Sequence, residues 1–105
     1  MEKIWFAEYQ KMGIPQTVEL PAENTSLNDV FERNFQKFGS RDAFIFMDKV
    51  LTFDELEAAS RKFATYLQSL GLAKGSRVAV MMPNVLQYPV VALGVFRAGL
   101  VLVNV

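Results

Sequence analysis

Ser76-Arg77-Val78-Ala79-Val80-Met81-Met82, then Pro83-Asn84, then Val85 to Ala98, then Gly99-Leu100-Val101-Leu102-Val103-Asn104-Val105: the reading of this closing stretch decides the fold. The first and last runs have the length and apolar content of buried strands, and the segment between them is long enough for a helix. Strand, helix and strand make a βαβ unit, whose strands run parallel and whose sheet has both faces covered. No turn closes the second strand, and a strand left this way exposes an apolar face and an unpaired edge. The expectation is an α/β fold and the opening piece of a larger α/β enzyme, with a β-hairpin and amphipathic helices ahead of the βαβ unit.

Working back from Ser76, Leu72-Ala73-Lys74-Gly75 is a turn that returns the chain to the sheet. Its Lys-Gly pair does not make a phosphate loop. Such a loop needs several glycines before a Lys-Ser/Thr pair, between a strand and a helix, and this turn lies between a helix and a strand. That helix has a strong start signal: Thr52 and Glu55 form a capping box, with Leu51 and Leu56 placed to close a hydrophobic staple over it. Leu56, Ala59, Phe63, Leu67 and Leu70 then fall on one stripe, Glu57, Arg61, Lys62 and Gln68 on the other side, and Gly71 ends the run. Asp54 and Glu55 suit the positive end of the helix dipole, so these acids read as caps rather than as a catalytic pair.

Ala43 to Met47 and Val50 to Thr52 read as a hairpin turning at Asp48-Lys49, which is weaker turn chemistry than Asn-Gly. Before it, Ser26 is a good N-cap, and Leu27, Val30, Phe31, Phe35 and Phe38 recur at helical spacing until Gly39, placed for a positive φ. Three phenylalanines on one stripe are core rather than ligand lining. Residues 1–25 show no sustained period, contain Gly13-Ile14-Pro15 and Leu20-Pro21, and read as an extended strap leading into an incomplete α/β subdomain over 26–105. Trp5, Phe6 and Tyr9 in the strap would dock on further protein, with a membrane surface or a subunit as the other occupants.

In the closing unit, Asn84 is an acceptable N-cap, and it stands at the carboxyl end of a strand, where open α/β sheets place ligands. Capping outweighs binding there. Pro89 predicts an irregular turn close to the helix start. Arg97 suits the negative helix end and Gly99 the turn beyond it.

Composition narrows the chemistry. Eleven basic and eleven acidic residues cancel, which gives no basis for binding nucleic acid. Cysteine and histidine are both absent, so thiolate chemistry, disulfides, Ser-His pairs and histidine-held zinc have no residues to use. The opening Met1-Glu2-Lys3-Ile4-Trp5-Phe6 is no secretory signal, and an intracellular protein is expected. Val85 to Val105 is apolar enough to suggest a membrane span, but Arg97, Pro89 and two glycines argue for elements of a parallel sheet instead. No repeat or low-complexity segment divides the chain.

Three blocks carry a resemblance to a known family. Leu51-Thr52-Phe53-Asp54-Glu55-Leu56 fits a "T-[FY]-x-E-L" helix entry. Lys74 to Asn84 fits "G-[DS]-R-V-A-[VL]-x-x-[PN]-N", and Phe96-Arg97-Ala98-Gly99 carries "R-A-G". As an ordered set these resemble the opening of the long-chain fatty acyl-CoA ligases, in the adenylate-forming superfamily with luciferases and peptide-synthetase adenylation domains. Leu86-Gln87-Tyr88-Pro89 points to the fatty acyl branch.

The resemblance implies a parent enzyme, dependent on ATP, Mg²⁺ and coenzyme A, that converts a long-chain fatty acid to an acyl-adenylate and passes the acyl group to the coenzyme A thiol. It implies a cytoplasmic setting, or a peripheral one at the inner membrane. In that family the phosphate loop, the adenine motif and the catalytic lysine follow the region matched here. Accordingly no catalytic, cofactor-binding or metal residue is assigned to any position of this chain, and the piece is expected to be inactive alone. Its partners would be the rest of the parent enzyme and a fatty acid, with self-association, or a homodimer, through Leu100 to Val105 and the Ala43 to Leu51 hairpin. The alternative is a self-contained flavodoxin-like or dimerising binding module without catalysis.

Overall fold

Arg77–Val80 and Val101–Asn104 pair in parallel, with Arg77 opposite Val101 and Val80 opposite Asn104, and Gln87–Arg97 is the helix that crosses between them. The computed structural model describes residues 3–22 and 26–105, so the parts of the lead-in at 1–2 and 23–25 lie outside the described residues. In chain order the elements are α1 (Phe6–Lys11), α2 (Leu27–Phe38), β1 (Asp42–Phe46), β2 (Lys49–Thr52), α3 (Phe53–Ser69), β3 (Arg77–Val80), α4 (Gln87–Arg97) and β4 (Val101–Asn104).

The βαβ unit is covered on one face only, and its other face is left open with apolar side chains on it, as expected for strands without further cover. Val80 is buried and Val78 and Leu102 are half-buried on the helix side, whereas Arg77, Ala79, Val101 and Val103 face outward. A single crossover helix, with α3 beside it, can shield only the face on which it lies.

Helix α4 divides the core in two. Val95, with no exposed surface, packs with Leu67 and Leu100 against Phe63, Val78, Ala98 and Leu102. On its other side Leu93 packs with Phe35 and Leu56 against Phe31, Ala43, Leu51, Phe53, Val90 and Phe96. Of the expected α2 stripe, Phe35 is buried in the core with Phe31 packed on it, Phe38 lies half-buried against Phe53, and Leu27 is exposed. Contact between α3 and α4 is close because small residues meet there: Ser60 and Ala64 are buried on α3, and a Cβ added at Gly94 would stand 2.6 Å from Phe63 Cδ1. The buried stripe of α3 runs through Leu56, Ser60, Ala64 and Leu67, so it differs from the expected one: Leu70 is exposed and Ser60 is not. The close approach of α4 rotates the seam toward the short side chains.

Local signals set several boundaries. Thr52 Oγ1 accepts from the Glu55 amide at 3.2 Å, and Glu55 Oε2 accepts from the Thr52 amide at 2.9 Å, which completes the capping box of α3. Ser26 caps α2 by accepting from the Asp29 amide. The hairpin turns at Met47-Asp48, one residue before the predicted pair, since Phe46 is opposite Lys49 and both turn residues have positive φ (46° and 60°). That is the type I′ geometry whose twist matches two paired strands. Gly39 has a φ of −23°, not a positive one; a Cβ there would meet the Asp54 carboxylate, the end of a side chain that can turn aside.

Two further expectations change. Helix α4 begins at Gln87 behind Leu86, which makes no side-chain cap bond, so Asn84 is not its cap. The later start puts Pro89 third in the helix, where an absent N–H leaves no intrahelical bond unmade. In the lead-in, Phe6–Lys11 form a short helix rather than extended chain.

Candidate functional site

Chemistry-bearing side chains come together in several places among the described residues. The first is a polar seam where α2, α3 and α4 meet. Arg97, at the last turn of α4 and 89% buried by its side chain, pairs with Glu32 of α2. Its Nε donates to Ser60 Oγ at 3.0 Å, and its guanidinium lies 5.3 Å from the centre of the Phe35 ring. Ser60 in turn donates to the Glu57 carbonyl at 2.9 Å, and Asn28 Nδ2 donates to the Phe96 carbonyl at 3.1 Å. Arg61 reaches Glu57 at 2.8 Å and Glu32 at 3.1 Å from the exposed side. One carboxylate, Glu32, thus bridges two guanidinium groups.

The sequence places Arg97 at the negative end of its helix and assigns no role to Glu32 or Ser60. The structure makes Arg97 a tertiary tie among three helices. The available signal was the position of Ser60, four residues after Leu56 on the buried side of α3. Arg61 is held above the ordinary arginine value, first by its hydrogen bond to Glu57 and then by the charge of Glu32. A group that stays charged throughout the working range transfers no proton, so Arg61 acts in this seam as a fixed charge that ties α2 to α3.

The second place is the carboxyl end of β3 and β4. Tyr88 Oη donates to Asn104 Oδ1 at 2.7 Å across it. Asn84 is exposed there, at the rim of an apolar hollow of about 220 Å³ formed with Phe44, Ile45, Phe46, Leu86 and Pro89. The third place is a cleft of about 290 Å³ between α2, the hairpin and α4, lined by Phe31, Phe44, Phe53, Pro89 and Phe96, with Asn34 and Tyr88 as its polar members. Neither hollow contains an acid–base pair or a nucleophile with an activating neighbour. Among the described residues no group of three or more acidic side chains could hold a metal ion, and no helix is long and apolar enough to cross a membrane.

Known proteins share this arrangement. Residues 31–105 match the AMP-binding enzyme family. Over the whole chain the sequence is 47% identical to a long-chain-fatty-acid–CoA ligase of Escherichia coli O6:H1 and 48% identical to one of Yersinia pestis. It is 39% identical, over 98% of its length, to a ligase of the same name from Bacillus subtilis. The chain spans 18% of the length of each of these relatives. Among solved structures, the amino-terminal subdomain of NpsA from Klebsiella oxytoca superposes with a TM-score of 0.73 at 30% identity, covering 76% of this chain and 21% of that one. VinN gives 0.71 at 29% identity, with 75% and 21% covered. These matches do not support a self-contained flavodoxin-like module.

Proposed function

The chain belongs to the AMP-binding enzyme family, and from that premise we propose that it serves as the opening segment of a ligase that joins long-chain fatty acids to coenzyme A. In the reaction proposed for the whole enzyme, the fatty acid carboxylate attacks the α-phosphate of ATP and pyrophosphate leaves. The coenzyme A thiol then attacks the acyl carbon and AMP leaves. The observation that carries the reading is the 46–48% identity to enterobacterial ligases of that name along all of this chain, including residues 3–22, which precede the family match.

The residues here do not fit ATP, Mg²⁺ or coenzyme A by themselves. The turn from β3 into α4 (81–86) contains no glycine, and the helix it enters has no side-chain cap. It therefore lacks the backbone cradle that binds phosphates at a helix start. No step of the chemistry is placed on this chain. Its contribution is scaffold: a packed three-helix face, and an outward sheet face carrying Val101 and Val103 for further protein to cover.

A chimaera tests this. The matching stretch of the Escherichia coli ligase is replaced by this chain, and formation of acyl-CoA and AMP from palmitate, ATP and coenzyme A is measured. Equal yields of acyl-CoA and AMP are the expected result. A folded chimaera that forms neither product, or micromolar ATP binding by the 105-residue chain alone, would overturn the proposal.

By itself the chain is proposed to self-associate through its uncovered strands. The support is exposed apolar surface at Ile45, Met47, Val50, Val101 and Val105. Light scattering that finds a monomer across a dilution series would count against this. The proposed setting is the cytoplasm, at the membrane face where long-chain fatty acids partition.

A further inference from the structure

We draw no further inference here: the strongest candidate, the apolar cleft of about 290 Å³ between α2, the hairpin and α4, stands open in a chain that spans 18% of the length of its relatives, and nothing in the structure shows what covers it.

Discussion

Tyr88 and Asn104 join the second residue of α4 to the last residue of β4 through one hydrogen bond, Tyr88 Oη to Asn104 Oδ1 at 2.7 Å, across the carboxyl end of the parallel pair. The bond closes the βαβ unit at its open end, where, among the described residues, β3 is the only strand beside β4. Both partners are solvent-accessible, so water competes for each. Tyr88→Phe and Asn104→Ala should each lower stability by about 0.5–1 kcal/mol. In a double-mutant cycle by urea unfolding the two losses should be less than additive, and full additivity would show that the pair does not interact.

Arg97 and Arg61 meet the same carboxylate, Glu32, from the buried and the exposed side, and the two should differ in worth. Arg97→Lys keeps the charge but loses the fork that serves Glu32 and Ser60 together, and should cost about 1–3 kcal/mol. Arg61→Ala, on the solvated side, should fall within about 0.5 kcal/mol of wild type and shrink further with added salt. A base raised in the folded state adds stability that is complete below its unfolded pKa and is lost as pH climbs through the folded one. For Arg61 that window lies above the ordinary arginine value, so Arg61 adds no slope to stability across neutral pH. Equal losses for the two variants in denaturant titrations would refute the division.

Where the chain's own local chemistry governed the outcome, the sequence was legible. Thr52 and Glu55 sit three residues apart, and the cap they form needs nothing else. The βαβ unit followed from two apolar runs flanking a helix-length segment. Asn84 and Pro89 were harder, because two rules competed over one helix start and the proline's missing N–H prevailed over the asparagine's capping oxygen. Gly39 stands where a helix-ending glycine takes a positive φ, yet its φ is −23°, and the atoms nearest a Cβ there belong to Asp54, fifteen residues on, which no local pattern announces. Arg97 joins Ser60 and Glu32 across 37 and 65 positions, and such long-range pairing depends on helix docking that a single sequence leaves open.

Gly94 should tolerate no side chain. A Cβ at this position would meet Phe63 Cδ1 at 2.6 Å and Phe63 Cβ at 3.1 Å, so the ring cannot clear it by turning about its outer bonds alone. Helix propensity favours Gly94→Ala by about 1 kcal/mol, and overpacking opposes it by about 1–3 kcal/mol. The steric term is the larger, and the variant should be less stable. Gly94→Ala/Phe63→Leu, which removes the obstructing ring edge, should recover part of the loss. A stabilised Gly94→Ala in thermal unfolding would mean that α3 and α4 are free to separate.

The hairpin turn places Met47 and Asp48 in the left-handed region, with φ of 46° and 60°. Side chains with a Cβ are disfavoured there by roughly 1–2 kcal/mol each, and aspartate less so because its carboxylate can bond locally. Methionine has no such compensation, and at 81% exposure Met47 gains little from packing in return. Met47→Asn/Asp48→Gly supplies the pair best suited to a type I′ turn, and should raise stability by about 1 kcal/mol. The denaturation midpoint should move upward with an unchanged slope, since neither residue alters the surface exposed on unfolding. An unchanged midpoint would show that Phe46 and Lys49 are held in register by the strands rather than by the turn.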